Sequence, residues 1–131
     1  MDEKIVIDKH EASLIRFLHI PIVYRKHWVY VCVDVREMTI KFYDSTILKT
    51  RSDPAKKGTE IMDQVDNRLK IWVKEQFPNK GEGMDFTKVV VTGIPKQDDI
   101  SSCGYFVLFF MDCVRQGITI PEHVSDAEIK N

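Results

Sequence analysis

The chain has 131 residues, of which 44% are hydrophobic and 30% are charged, and its formal net charge is -1. These values fit a single globular domain over residues 1–131 with a sizeable buried core. The near-neutral charge, without any polybasic block, argues against a nucleic-acid partner. No signal peptide or transmembrane stretch is visible, so we expect no membrane partner. Three cysteines without a CxxC pair indicate reduced, intracellular usage rather than a disulfide framework.

The N-terminal part shows three patterns of secondary structure. Residues 4–8 form a short β-like run, and residues 11–19 carry leucine and isoleucine at helical spacing, which predicts a short helix. Residues 20–24 are interrupted by Pro21, which suggests an edge strand or an entry strand.

A β-hairpin is predicted next. Residues 28–35 are apolar on nearly both faces, as in a central strand that is covered on both sides. Arg36 and Glu37 are predicted to form a two-residue turn, after which residues 38–43 alternate between apolar and polar positions. The register of two such antiparallel strands brings the end of the second strand back beside the start of the first.

The middle of the chain predicts a loop and then a long amphipathic helix. Residues 49–58 are polar and contain proline and glycine, so we expect a surface loop. A helix is predicted from Thr59 until Pro78 stops it, followed by a loop over residues 79–84. The apolar stripe of this helix consists of Ile61, Val65, Leu69 and Trp72, widened by Met62, Val73 and Phe77.

The last part predicts a strand over residues 86–92, a loop over 93–102 and a buried helix over 103–115, which Gly117 closes. Residues 121–131 are polar and are expected to be frayed. The order of elements indicates an α+β fold rather than a regular βα alternation.

Cys103 stands at the border between a polar loop and an almost wholly apolar helix. If Ser101 or Ser102 caps that helix, Cys103 lies in its first turn, where unpaired N–H groups and the helix dipole favour a thiolate. Gly104 leaves space beside the sulfur. Cys103 is therefore a candidate nucleophile; the alternative is a small buried hydrophobic residue, which is the interpretation we give to Cys113.

Three further residues lie at element ends from which they could serve Cys103. His27 opens the predicted central strand as a candidate base, and the hairpin register returns Asp44 close to it as an orienting acceptor. Gln97, in the loop before Cys103, could supply an oxyanion donor together with the Cys103 backbone N–H. Plainer interpretations remain open: a strand-end histidine, a turn-starting aspartate and a solvent-facing glutamine.

The combination of these residues resembles the ubiquitin-like-protein-specific cysteine proteases, the SUMO protease family. The matching motifs are His27-Trp28, Phe42-Tyr43-Asp44-Ser45, Gln97 and Cys103-Gly104. The resemblance extends over residues 21–114, most of the chain.

This resemblance implies a papain-like cysteine proteinase fold of the ubiquitin-like protease type, with a central mixed sheet packed by helices. It implies that Cys103 attacks the carbonyl after the C-terminal Gly-Gly of a SUMO-like modifier. His27 would act as base and then acid, Asp44 would orient His27, and Gln97 would help to hold the oxyanion. No cofactor or metal is implied.

The resemblance also implies substrate-binding residues, partners and a location. Trp28 resembles the aromatic residue that covers a narrow channel for the diglycine tail, and Gly104 lies beside the nucleophile. The partners would be a SUMO-like modifier and its conjugates, and the location would be intracellular, nuclear and/or cytoplasmic.

The chain departs from the family pattern in three ways. Family domains usually have a longer portion before the base than precedes His27 here, so a partner or a further segment would have to complete the substrate channel. Ser102 stands where aspartate is usual, and Lys96 where a second glutamine is often found. The short portion before the base keeps one alternative open, a catalytically impaired modifier-binding or scaffold domain. A second alternative is an acyltransferase with the same His-Asp-Cys set, because related folds with this set transfer acetyl groups.

Overall fold

A four-stranded mixed sheet and two helices form the described structure. The computed structural model describes residues 15–46, 54–76, 85–97, 102–125 and 128–129. The elements in chain order are β1 (Phe17–Tyr24), β2 (His27–Asp34), β3 (Thr39–Tyr43), α1 (Pro54–Gln76), β4 (Thr87–Val90) and α2 (Cys103–Gln116). The sheet order is β1-β2-β3-β4, with the first two pairings antiparallel and the third parallel. The predicted α+β class is confirmed, and the predicted run at residues 4–8 lies outside the described residues.

The β2–β3 hairpin has the predicted register, with Tyr30 opposite Tyr43. Its connection is a four-residue turn over residues 35–38, so the predicted two-residue turn is wrong. The reason is the side chain of Asp34, whose carboxylate accepts hydrogen bonds from the backbone N–H groups two and three residues further on, both at 3.0 Å. Such local side-chain bonds stabilise a wider turn without shifting the strands.

The structure corrects the predicted N-terminal helix. Residues 17–19 belong to β1, which pairs with β2 along its full length of eight residues. Cross-strand pairing with a central strand outweighs a short stretch of helical spacing, because helix propensity is a weak preference. Pro21 is accommodated because β1 is an edge strand of the described sheet, one of the two possibilities that the sequence suggests. Residues 11–14 of the predicted helix lie outside the described residues.

Helix α1 begins earlier than predicted. The sequence predicts a loop over residues 49–58, whereas the helix already starts at Pro54. Proline fits the first helical position because its missing N–H has no partner there. Gly58 is a packing residue: a Cβ at this position would lie 2.7 Å from Phe42 Cδ1. The predicted helix end and the following loop, residues 77–84, lie outside the described residues.

The C-terminal part follows the prediction more closely. β4 is shorter than the predicted strand, and α2 has the predicted start and one residue more at its end, where Gly117 adopts a left-handed conformation with φ 70°. The tail is not simply frayed, since Ile129 packs against the core beside α2. Residues 98–101 lie outside the described residues. Neither described helix combines the length and the apolar character needed to cross a membrane.

Each face of the sheet carries its own hydrophobic cluster, as the apolar pattern of the central strand predicts. The buried members on the face covered by α1, hereafter the α1 face, are Val29, Val31, Val33, Ile40, Phe42, Ile61, Met62 and Phe86. Those on the face covered by α2, the α2 face, are Tyr30, Cys32, Tyr43, Ile94, Phe106, Val107 and Phe110. Successive β2 residues alternate between the two clusters because strand side chains alternate in direction.

Candidate active site

His27 and Asp44 meet at one end of the β2–β3 hairpin. β2 begins at His27, and β3 ends one residue before Asp44, so the chain returns to the start of β2. His27 Nε2 lies 2.7 Å from Asp44 Oδ1. The same oxygen accepts a 2.9 Å hydrogen bond from the backbone N–H of Thr46. The structure therefore contains the contact that the hairpin register predicts, and the backbone holds the carboxylate in place.

Burial and hydrogen bonding act on Asp44 in opposite directions. Burial raises the pKa of this carboxyl, but the hydrogen bonds from His27 and from Thr46 N–H, aided by the charges of His27 and Lys57, outweigh burial and lower the pKa of Asp44 below its usual value. An ionised carboxylate can only accept hydrogen bonds. In the neutral imidazole of His27, Nε2 must therefore carry the proton, and Nδ1 is the basic nitrogen.

Cys103 is buried and is the first residue of α2. Its Sγ lies 3.4 Å from the backbone nitrogen of Trp28, the neighbour of His27, and accepts a hydrogen bond from it. Because α2 packs against β2, the sulfur is held at the end of β2 that carries the His27–Asp44 pair. The N-terminal end of a helix also stabilises negative charge.

The capping of α2 differs from the prediction. Ser102 occupies the N-cap position, but its side chain makes no capping hydrogen bond. Its backbone has φ -88° and ψ 0°, whereas a capping side chain usually reaches the first-turn N–H groups from an extended backbone. Ser102 is also fully buried. Its neighbour Ser101 lies outside the described residues.

Gln97 is buried and fixed, not solvent-facing. Its backbone N–H donates to the carbonyl of Ser45 at 2.8 Å. The hydroxyl of Ser45 in turn donates to Gln97 Oε1 at 2.6 Å. Next to this pair, Lys96 Nζ donates to the carbonyl of Asp44 at 2.8 Å. The loop that carries Gln97 is therefore bonded to the same two residues that end the hairpin.

The side chain of Trp28 lies next to Gly104, the second residue of α2. Trp28 is 42% exposed, so it is a surface residue and not part of the core. A Cβ placed on Gly104 would lie 3.7 Å from Trp28 Cδ1, an ordinary van der Waals contact. The two residues thus border an accessible surface beside Cys103.

The structure brings all six predicted site residues to one end of β2 and the start of α2. Sequence reasoning missed the contributions of Ser45, Lys96 and the backbone of Thr46. The signal for Ser45 was its place directly after Asp44 in the Tyr-Asp-Ser motif. Within the described residues, no group of histidine, cysteine and acidic side chains is arranged to hold a metal ion.

A protein-family model matches nearly the whole chain. Residues 6–131 match the model of the Ulp1 protease family, C-terminal catalytic domain. The chain belongs to this family. A search of curated proteins gave no significant match.

Solved structures of Ulp1 protease domains share this fold. The C-terminal Ulp1 protease domain in complex with Smt3, the yeast orthologue of SUMO, aligns with a TM-score of 0.63 at 18% identity, over 90% of this chain and 48% of that chain. The Ulp1-like SUMO protease catalytic domain of Chaetomium thermophilum aligns with a TM-score of 0.65 at 19% identity, over 92% of this chain and 44% of that one. The predicted papain-like fold is thereby confirmed, and the chain spans about half the length of these solved domains.

Proposed function

We propose that this Ulp1-family domain is a cysteine protease that cleaves after the C-terminal Gly-Gly of a SUMO-like modifier, in precursors and in isopeptide-linked conjugates. One observation carries the proposal. Cys103 Sγ lies at the backbone N–H of Trp28, at the end of β2 where His27 Nε2 is bonded to Asp44 at 2.7 Å. A thiol, an imidazole and an orienting carboxylate in this order are the parts of a cysteine nucleophile and its base.

The roles follow from the atoms available. His27 Nδ1 takes the proton of Cys103 Sγ, and the sulfur attacks the carbonyl carbon of the terminal glycine. Asp44 stabilises the imidazolium that forms. Gln97 and the backbone N–H of Cys103 donate hydrogen bonds to the oxyanion.

Breakdown of the tetrahedral intermediate gives the two products in turn. The C–N bond breaks, and imidazolium Nδ1–H of His27 protonates the leaving amine, which leaves a thioester on Cys103. Water then attacks the thioester carbonyl while His27 takes its proton. The modifier carboxylate departs, and the proton returns to the sulfur, so the enzyme is regenerated without a cofactor.

Trp28 and Gly104 support selection of a diglycine tail. The exposed indole of Trp28, with Gly104 beside it, offers a flat surface next to Cys103 on which we propose that the diglycine tail lies. Glycine can lie against such a surface, whereas a larger side chain would clash with the indole. The complex of the related Ulp1 domain with Smt3 supports a SUMO-like modifier and its conjugates as partners, and the proposed location is intracellular, nuclear and/or cytoplasmic.

The direct test is labelling with a SUMO-type modifier that ends in a glycine vinyl sulfone. We expect the wild-type chain to form a covalent adduct and Cys103→Ala to form none. The matched control is Cys113→Ala, because Cys113 is equally buried but lies at the other end of α2, and it should be labelled like the wild type. Labelling of Cys103→Ala would overturn the assignment of the nucleophile. A wild-type chain that binds the modifier without becoming labelled would show a binding domain instead of a protease.

A further inference from the structure

Two consecutive residues at the end of the hairpin contact two different parts of the candidate site. The side chain of Asp44 bonds to His27 Nε2 at 2.7 Å. The side chain of Ser45 bonds to Gln97 Oε1 at 2.6 Å. The base and the oxyanion donor, which lie far apart in the sequence, are therefore both held by one short segment.

We propose that Ser45 is a positioning residue that sets which end of the Gln97 side-chain amide faces the reacting carbonyl. This inference rests on the proposed function, in which Gln97 donates a hydrogen bond to the oxyanion. The two ends of a primary amide have nearly the same shape, but only the NH₂ end donates. If the amide turned over, its carbonyl oxygen would face the oxyanion and repel it.

The hydrogen bond between Ser45 and Gln97 can hold the amide in one orientation because both residues are buried. Each residue is only 2% exposed, so bulk water does not compete for the hydroxyl. The Ser45 hydroxyl donates to Oε1 and thereby directs Nε2 to the other side of the amide. In a buried site, a polar group left without a hydrogen-bond partner is strongly destabilising, so the orientation of the amide that keeps this bond is favoured.

The backbone makes the effect of Ser45 separable from folding. Gln97 N–H donates to the carbonyl of Ser45 at 2.8 Å, and this bond is independent of the serine side chain. Ser45→Ala should therefore leave the loop attached to the hairpin while removing the orienting hydroxyl. Asp44 keeps its bonds to His27 and Thr46 N–H, so the base is also unaffected.

The test compares two reactions of Cys103 that differ in their need for an oxyanion donor. Hydrolysis of a modifier with a fluorogenic C-terminal amide develops an oxyanion, whereas alkylation by iodoacetamide requires only the thiolate. For Ser45→Ala we expect kcat to fall about 10- to 100-fold. This loss should not exceed the loss in kcat that follows removal of an oxyanion donor itself, about 100- to 1000-fold. KM and the alkylation rate should stay within about twofold, since neither depends on the oxyanion.

Three variants complete the design. Ser45→Cys, which keeps a weak donor of similar size, should recover part of kcat. Ser45→Ala combined with Gln97→Ala should be no slower than Gln97→Ala alone, because the serine acts through the glutamine. Ser125→Ala is the matched control, since Ser125 is an exposed serine in the C-terminal tail, and it should behave like the wild type.

The outcomes separate this inference from the proposed function. If the wild type cleaves and Ser45→Ala keeps full kcat, the inference is overturned. Equal losses in hydrolysis and alkylation also overturn it, since Ser45 would then act on the thiolate or the fold. If the wild type does not cleave, the proposed function fails, and the NMR signals of the Gln97 side-chain NH₂ decide the orientation. A change in their shift and hydrogen exchange in Ser45→Ala supports the inference, and unchanged signals overturn it.

Discussion

The two faces of the sheet are built from different chemistry. The buried hydrophobic cluster of the α1 face contains only hydrocarbon and thioether side chains, with Phe42 packed against the helix at Gly58. The buried carboxylate on α1, that of Asp66, lies outside this cluster and is paired with lysines. The α2 face also buries hydroxyl and thiol groups. Tyr30, for example, is completely buried and shares a 2.6 Å hydrogen bond with His19 Nδ1. Burial raises the pKa of Tyr30, and it raises the pKa of Tyr43 on the same face to about 12, so both tyrosines stay neutral.

This difference shows where stability and chemistry are located. The hydrophobic cluster of the α1 face is stabilised by burial and close packing. The cluster of the α2 face must also satisfy its own hydroxyl and thiol groups, and its helix begins at Cys103, beside the bonded ends of β2 and β3. Substitutions on the α1 face should therefore change mainly the free energy of unfolding, and substitutions at the start of α2 should change mainly the rate.

The largest effect is expected for Asp44→Asn. An amide cannot stabilise the imidazolium of His27 as a carboxylate does, so kcat/KM for a SUMO-type substrate should fall about 10²- to 10⁴-fold at neutral pH. Asp112→Asn is the matched control, because Asp112 is an exposed carboxylate on α2 bonded to Arg115 and Gln116, and its kcat/KM should stay within about twofold. A loss below tenfold for Asp44→Asn would show that the negative charge of Asp44 is not needed and that an amide oxygen orients His27 equally well.

The same substitution should change how the free energy of unfolding depends on pH in the acidic range. Because the pKa of Asp44 is lowered by folding, ionised Asp44 stabilises the folded chain above its unfolded pKa of about 3.9. This stabilisation is lost as the pH falls through the lower pKa of the folded state. The difference in unfolding free energy between wild type and Asp44→Asn should therefore shrink as the pH falls below about 4. Urea unfolding at several pH values measures it, and a pH-independent difference would contradict the lowered pKa.

On the α1 face, Gly58→Ala should destabilise the fold without slowing the reaction. The new Cβ would lie 2.7 Å from Phe42 Cδ1, and Phe42 is fully buried, so the ring cannot move away freely. Overpacking of this kind costs about 1–3 kcal/mol, although alanine gains up to about 1 kcal/mol of helix propensity. Urea denaturation should show the loss, while kcat of the folded fraction stays within about twofold. A stabilised variant would show that α1 can shift away from the sheet.

Gly58 also shows the limit of sequence reasoning about the fold. The sequence predicts the hairpin, its register, and most of both helices, because apolar periodicity and turn residues report on local structure. The sequence places Gly58 in a loop and residues 17–19 in a helix, because glycine is common in loops and the apolar residues have helical spacing. In the structure Gly58 lies in α1 against Phe42, and residues 17–19 lie in β1, paired with β2. Both contacts are long-range, and a local sequence pattern contains no information about them.

In the candidate site too, local contacts could be predicted from the sequence and long-range contacts could not. Asp44 could be placed beside His27 from the hairpin register, because the position of the turn determines which residues of the two strands lie opposite each other. The bond between Ser45 and Gln97 could not be predicted, since it joins two loops whose approach depends on the whole fold. The sequence marked both residues as parts of a motif but contained no information on how they face each other.

Gly104→Ala should give the opposite result to Gly58→Ala. A Cβ on Gly104 makes only an ordinary contact at 3.7 Å from Trp28 Cδ1, so helix propensity should stabilise the fold by up to about 1 kcal/mol. The methyl group would project beside Trp28, where we propose that the diglycine tail lies, and should lower kcat/KM for a diglycine substrate about tenfold. Thermal unfolding and hydrolysis of the fluorogenic modifier measure the two effects. An unchanged kcat/KM would mean that the substrate tail does not lie against the surface formed by these two residues.

The smallest effect is expected for Lys96→Met. The Lys96 ammonium donates to the backbone carbonyl of Asp44 at 2.8 Å, but the lysine is exposed, so water can replace this bond at a cost of about 1 kcal/mol or less. The Asp44 carboxylate keeps its bonds to His27 and to the Thr46 N–H, and kcat should therefore change less than threefold. Lys96→Gln, which retains a hydrogen-bond donor, should lie between the wild type and Lys96→Met. If Lys96→Met instead lowered kcat more than Ser45→Ala, the exposed lysine rather than the buried serine would hold the loop, and the hairpin end would control the site through its backbone.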